Sequence, residues 1–292
     1  MATRSISPPS APPRGPTARA PARAPTNAIT SLTAAGKRRA RRRHPVRWLA
    51  PLVLGALVLA LWQLVVSVGL VNPFLLPLPG DVLRAFRESL TEGLFLSYTA
   101  TTLAESVVGC ALAALVALPL GYMLVRSRLI ASAVQPYLAA SQAMPAIAIA
   151  PLIALWLGYG LSPVIALCAL IVFFPLTIST ALGLRMLDPD VLDAARVDGA
   201  GFRALLWHVE LPLALPSILA GLRTSLTLSI TGAVVGEFVV AGNGLGELLL
   251  IQRQSSDSAG VFATLLMLGL LAAALYGAVR LCERRYSYAE AH

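Results

Sequence analysis

Lysine occurs once in this chain of 292 residues, at Lys37. A phosphate-binding GxxxxGK[ST] loop is therefore excluded, and with it ATP hydrolysis by this chain itself. The GxSxG and HExxH patterns are absent too, so no catalytic residue is predicted. Histidine is scarce, and His44, His208 and His292 lie too far apart in sequence to suggest a metal cluster. The three cysteines, Cys110, Cys168 and Cys282, fall in apolar runs without CxxC or paired spacing. That predicts buried small hydrophobes, with no disulfide framework or metal site. Charge is the largest deficit: 13% of residues are charged against 57% hydrophobic, so little of the chain can face water. The composition is that of a membrane protein.

The formal net charge of +9 is unevenly spread, since 11 of the 23 basic residues precede Trp48. The excess belongs to a tail, which argues against a nucleic-acid-binding surface. Residues 1–47 are rich in Pro, Ala, Ser, Thr and Arg and contain no acidic residue. They cannot bury a core and are expected to be disordered. The run Lys37–Arg43 is suited to anionic lipid headgroups and to holding this end in the cytoplasm. The Arg- and Ser-rich, acid-poor start also has the composition of an organelle transit peptide.

Six apolar stretches follow, at about 48–70, 98–125, 130–157, 163–184, 213–240 and 260–282, each long enough for the ~20 residues a bilayer requires. Between the first two, Asn72–Ser97 contains Pro73, Pro77 and Pro79, then a mixed-charge segment, Asp81–Glu92, patterned as a short interfacial helix. The third stretch contains Pro136, Pro145 and Pro151, which kink or interrupt a helix. Basic residues set the orientation. With both termini inside, the cytoplasmic segments carry the basic tail, Arg126, Arg128, Arg185, Arg196, Arg203, Arg280, Arg284 and Arg285. The outside segments carry only Arg84, Arg87 and Arg253, while Arg223 sits within a span, placed to snorkel.

One long segment in the second half is polar, charged and helix-patterned: Leu187–Leu215, LDPDVLDAARVDGAGFRALLWHVELPLAL. Asp188 is a candidate N-cap, Pro189 suits the first helical position and Asp190 the first turn. Gly199 is placed to end the helix in a left-handed conformation. A second short helix is expected over Phe202–Glu210, stopped at Leu211-Pro212 because the residue before proline avoids the α region.

The spacing Asp193-Ala194-Ala195, Gly199, Val209 and Leu211-Pro212 resembles the Glu-Ala-Ala cytoplasmic loop of the membrane subunit of bacterial ABC importers. Two positions depart from that pattern, Asp for Glu and Val for Ile. Small residues at Ala194, Ala195 and Gly199 suit close backbone approach to a partner. The segments Leu76-Pro77-Leu78-Pro79, Gln142-Ala143-Met144-Pro145, Ala150-Pro151-Leu152 and Trp156-Leu157-Gly158 resemble the nitrate, sulfonate and taurine branch. So does the closing Glu283-Arg284-Arg285. Gly232–Phe238 most resembles members that import pyrimidine precursors of thiamine. The resemblance covers roughly Leu76 to Arg285.

It implies an all-α membrane protein of the bacterial plasma (inner) membrane, with six transmembrane helices and the type I ABC importer permease (MetI-like) fold. The termini would be cytoplasmic, with a permease domain over 48–285, a cytoplasmic coupling loop over 185–212 and a short tail at 286–292. The implied partners are an ABC ATPase subunit, which carries ATP and Mg, and an extracytoplasmic substrate-binding protein. A homodimer in the lipid membrane is implied, with no cofactor in this chain and no nucleic acid. The ATPase-coupling residues would be Asp193, Ala194, Ala195, Gly199, Val209, Leu211 and Pro212. The solute would be small and polar or anionic: a sulfonate, taurine, nitrate or a thiamine pyrimidine precursor.

Polar residues within the spans are candidates for the translocation path. They are Gln142; Thr224, Thr227 and Thr231, which share one helical stripe; and Glu237, whose counterpart in the resembled family also precedes a Gly-Leu-Gly, here Gly244-Leu245-Gly246. Thr102, Glu105 and Gly109 share a face of the second span. Helix packing is the competing explanation for such a threonine stripe. A secondary transporter driven by an ion gradient is the alternative function, but it would want two matching repeats with broken helices, and only one Pro-rich span is present.

Overall fold

The computed structural model describes residues 46–143, 145–240 and 242–289, and all regular structure among them is helical. Most of the basic tail, including Lys37–Arg43, lies outside the described residues, as do Met144 and residues 290–292. The chain divides into two units, Met1–Leu57 and Val58–His292. The described part of the first is the start of helix α1 (Val46–Ser67), an uninterrupted apolar run apart from Arg47 and Pro51. The second holds everything else.

After α1 come α2 (Pro79–Thr91), α3 (Leu94–Arg126), α4 (Arg128–Ala143), α5 (Ala146–Leu157) and α6 (Leu161–Arg185). They are followed by α7 (Pro189–Val197), α8 (Phe202–Leu205), a π-helical turn (Leu206–Glu210), α9 (Leu211–Val240), α10 (Leu245–Gln254) and α11 (Ser258–Ala289). Among the described residues, five helical segments are long and apolar enough to cross a membrane: Ala50–Ser67, Leu94–Arg126, Leu161–Arg185, Phe202–Val240 and Ser258–Glu283.

The stretch expected as a third span is two helices, α4 and α5. The break falls at Pro145, which stands before α5 with an extended backbone (φ −70°, ψ 114°) and has no N–H to continue the ladder of α4. Pro136 and Pro151 lie inside α4 and α5 without interrupting them.

The expected stop at Leu211-Pro212 does not occur. Leu211 is right-handed helical (φ −64°, ψ −48°), and its N–H bonds to the carbonyl of Leu206, five residues back. The helix therefore runs from Phe202 through the π turn into α9. A wider turn relieves the clash between a proline ring and the carbonyl four residues earlier, here that of His208, and that carbonyl has no donor at Pro212 to lose. Proline's restriction is absorbed by one inserted residue instead of a helix end.

Lipid gives apolar helix faces no hydrophobic reason to associate, so close contact rests on small residues. A Cβ added at Gly109 of α3 would lie 2.4 Å from the Cβ of Cys168 on α6. The crossing of α6 and α9 is reciprocal: Gly183 faces Ser217, and Gly221 faces Ser179, with added Cβ atoms 2.7 and 2.5 Å from the serine Cβ atoms. Ala113, Ala117, Val172 and Leu176 fill the α3–α6 seam. A second cluster, Val82, Phe95, Leu245, Leu248 and Ala263, packs α2, α3, α10 and α11 together. Trp62 joins its edge, donating from Nε1 to the carbonyl of Pro77 (3.0 Å) and meeting Phe262 at 5.7 Å between ring centroids.

Candidate functional site

The loop between α6 and α9 is built as its residue types dictate. Asp188 caps α7, its carboxylate accepting from the N–H of Asp190 at 2.9 Å, and Pro189 opens the helix. Gly199 ends it at φ +88°, where a side chain would be strained. The N–H of Ala200 returns to the carbonyl of Ala195 (3.0 Å), and that of Gly199 to Arg196 (3.0 Å), so the last carbonyls are satisfied. Arg196 pairs with Asp193 across one turn at 2.6 Å, on an exposed face.

No residue of α7 is buried. Asp193, Ala194 and Gly199 are exposed, and Ala195 is half-buried. Val209, Leu211 and Pro212 behave differently. All three are half-buried at the root of α9, and Leu211 packs beside Leu184, Ala214 and Ile218. The motif thus splits into a presented part, 193–199, and an anchoring part, 209–212. Around the presented part, large apolar side chains stand in the open: Val197 is 87% exposed, Trp207 65% and Phe202 63%.

At the other end of α3 and α9 lies a buried polar cluster. Thr102 donates to Oε1 of Glu237 (2.7 Å) and accepts from the N–H of Leu245 (2.8 Å). The N–H of Gly246 donates to the other oxygen, Oε2. Glu237 therefore closes the start of α10, where the first N–H groups lack helical partners. Thr102, Glu105 and Glu237 are fully buried. Glu105 sits against the same cluster, and neither of its carboxyl oxygens has a hydrogen-bond partner among the described residues.

The glycines at 244 and 246 are required by this arrangement: an added Cβ at Gly244 would lie 2.0 Å from Oε1 of Glu237, and one at Gly246 2.7 Å from Oε2. Sequence reading picked out Thr102, Glu105 and Glu237 separately. Their meeting across 135 positions was not visible, although a Gly-x-Gly-x-Gly run five residues after a span carboxylate was a clue to a backbone wrapped round it.

The threonine stripe divides. Thr224 and Thr231 are exposed on the single chain, while Thr227 is half-buried. The hydroxyls of Thr224 and Thr227 bond back to the carbonyls of Ala220 and Arg223, both at 3.1 Å. Thr224 also borders a cavity of about 310 Å³ between α6 and α9, shared with Ser179, Gly183, Ser217 and Gly221. Gln142 lies in the last turn of α4, and its side chain is outside the described set.

Arg223 does not snorkel to a free end. It pairs with Glu283 at 2.8 Å and stacks over Tyr276 at 4.8 Å, tying α9 to α11. Cys110 and Cys168 are buried as expected, but Cys282, near the end of α11, is exposed. Among the described residues no group of three His, Cys, Asp or Glu is placed to hold a metal ion.

Comparison with known proteins identifies the family and the fold. The riboflavin transport system permease RibX of Chloroflexus aurantiacus is 41% identical over 228 residues, 78% of this chain and 85% of that protein. The formylaminopyrimidine transport permease ThiX of Halalkalibacterium halodurans is 33% identical over 236 residues, 80% of this chain and 93% of that protein. Among solved structures, an inward-facing MetNI methionine ABC transporter matches with a TM-score of 0.60 at 22% identity, over 67% of this chain and 97% of the matched one. That likeness establishes the helical architecture. Residues 93–288 match the family described as binding-protein-dependent transport system inner membrane component. The chain therefore belongs to that family: it is a multi-pass permease subunit of an ABC transporter in the plasma membrane, not an enzyme.

Proposed function

We propose that this chain forms the translocation path of an ATP-driven importer and takes its energy from a separate ATPase docked on the loop 188–212. One observation carries the reading. A capped helix lies between two spans, buries none of its own residues and stands beside exposed Val197, Phe202 and Trp207. Apolar surface of that kind in an aqueous compartment calls for a covering partner. The basic residues of the tail, of Arg126 and Arg128, and of Arg185 to Arg203 favour the cytoplasm for this loop and for both termini. Five long helices plus the broken pair α4–α5 give six crossings, since an interrupted helix is tolerated where it packs on protein or lines a cavity. Thr224 and Thr231, exposed on one chain, suit a path between two copies.

For the solute, the family resemblance left sulfonate, taurine, nitrate and a thiamine pyrimidine precursor open. The relatives at 41% and 33% identity are named for riboflavin and formylaminopyrimidine transport, which favours a nitrogen heterocycle of the vitamin or vitamin-precursor kind.

Gly199→Val and Ala194→Asp test the docking. Each should abolish co-purification of the ATPase while the permease still accumulates in the membrane. Recovery of the ATPase at wild-type yield would overturn the assignment of the loop. Calorimetry of the cognate binding protein with riboflavin, a formylaminopyrimidine and taurine tests the solute class, and tight binding of taurine alone would overturn the heterocycle. Uptake that continues in ATP-depleted cells and collapses with a protonophore would favour an ion-driven carrier.

A further inference from the structure

Arg126 is the last residue of α3, and the end of the loop is folded around it. Its Nε donates to the hydroxyl of Tyr122 at 2.9 Å, and one terminal nitrogen donates to Oε1 of Glu210. The guanidinium lies 5.3 Å from the ring centroid of Tyr122 and 6.0 Å from that of Phe202, and the two rings meet edge-on at 6.3 Å. Glu210 closes the π turn and is 3% exposed. Its second oxygen has no partner among the described residues.

An ion pair on open surface holds little, because water replaces either partner. Here one partner is buried, so separation would strand a carboxylate where water does not reach. Arginine suits the place: its planar fork donates in two directions while its face stacks on rings. The pair also grips the loop at two points, Phe202 at the start of α8 and Glu210 at the end of the π turn. The loop's covalent continuations run only to α6 and α9. Arg126 attaches it to a third helix.

We propose that Arg126 is a positioning residue for energy coupling: through Glu210 and Phe202 it makes α3 follow the loop when the ATPase moves it. The π turn belongs to this device, since one residue more or fewer in that segment rotates what precedes it by roughly 100° and takes Phe202 or Glu210 away from Arg126. The inference rests on the docking assigned above, and its test separates the two. Arg126→Gln and Glu210→Gln leave the exposed face 193–199 untouched, so the ATPase should co-purify at wild-type yield.

The decisive measurement is MgATP hydrolysis by the full complex in nanodiscs, with and without the cognate binding protein as purified. Each single variant should lose about fivefold or more of the binding-protein stimulation, and the double variant no more than either alone. The exchanged pair Arg126→Glu with Glu210→Arg should recover stimulation, which a merely structural contact at a different distance would not. Phe202→Ala, on a largely exposed side chain that also borders the docking face, perturbs the same grip and, scored per ATPase retained in the complex, should fall in the same direction by about twofold. Wild-type stimulation in Phe202→Ala and in whichever single variants assemble would overturn the proposal, as would losses that multiply in the double variant. Loss of ATPase co-purification in Arg126→Gln would also overturn it, since the residue would then serve docking itself. Normal docking in Gly199→Val would instead overturn the loop assignment beneath it.

Discussion

Gly244→Ala removes no contact, yet the structure makes it a severe change. The added methyl carbon would lie 2.0 Å from Oε1 of Glu237, 2.3 Å from its Cδ and 2.6 Å from the hydroxyl oxygen of Thr102. A carbon and an oxygen not bonded to each other rest more than 3 Å apart, so the carboxyl or the loop must move by about 1 Å or more. The hydrogen bonds from Thr102 and Gly246 cannot survive that displacement, and the acceptors left behind are fully buried. Each lost bond leaving a buried group unsatisfied costs about 1–3 kcal/mol, which places the substitution at roughly 3–5 kcal/mol. For a chain of this size that is a fall of roughly 10 °C in the apparent melting temperature.

The assay is thermal unfolding in detergent, followed by loss of the monodisperse peak in size-exclusion chromatography. Gly269→Ala is the control, because nothing lies within 4 Å of a Cβ there, and it should melt within about 2 °C of wild type. Thr102→Val, which deletes the hydroxyl that bridges Glu237 and Leu245, should cost a similar amount. Combined with Gly244→Ala it should add much less than its own loss, because both break one network. A Gly244→Ala protein that melts with the control, or strict additivity with Thr102→Val, would refute the reasoning.

Two further outcomes follow from packing and from exposure. Gly109→Ala should lower the melting temperature by several degrees, since its Cβ would lie 2.4 Å from that of Cys168, and Cys168→Gly should restore part of the loss. Failure of the second change to help would show that α3 and α6 do not meet at that point. Cys282 is the exposed cysteine, with Cys110 and Cys168 buried, so a charged maleimide should label one site. It should do so in inside-out vesicles and not in intact cells; labelling from outside would reverse the proposed orientation.

The sequence was informative where the physics is local. Asp188, Pro189 and Gly199 act through the backbone within a few residues of themselves, and they start and end α7 where their chemistry requires. Five of the six apolar runs were legible too, because lipid demands a helix of a set length, while the third is divided before Pro145. Proline was legible only in part. Pro145 breaks a helix, Pro136 and Pro151 do not, and Pro212 is passed by a π turn. All four remove a backbone donor, so residue type alone does not say which of them ends a helix. The polar contacts Thr102–Glu237 and Arg126–Glu210 join residues 135 and 84 positions apart. No pattern of period 3.6 encodes the register of one span against another. The exposure of Val197 and Trp207 was hidden for the opposite reason: their residue types suggest burial, and only the lack of covering structure among the described residues marks them as the docking surface proposed above.

The two long-range contacts have a joint consequence for motion. Thr102 and Arg126 are 24 residues apart on α3, roughly 36 Å along a helix, somewhat more than the hydrocarbon thickness of a bilayer. Each is matched on or beside α9 by a buried carboxyl group, Glu237 at one end and Glu210 at the other. Between them α3 packs on α6 through small residues, Gly109 against Cys168 and Gly121 against Thr180, and Ser229 of α9 donates to the carbonyl of Ser106 on α3 at 2.7 Å. Sliding α3 by one turn, about 5.4 Å, would part Thr102 from Glu237 and Arg126 from Glu210 together, both at buried carboxyl groups. Tilting α3 and α9 as one body breaks neither contact. Rotation is therefore the motion these contacts leave open to the pair, and under the coupling proposed above a push at the loop would reach the glycine loop over residues 242–246 at the other end of α9.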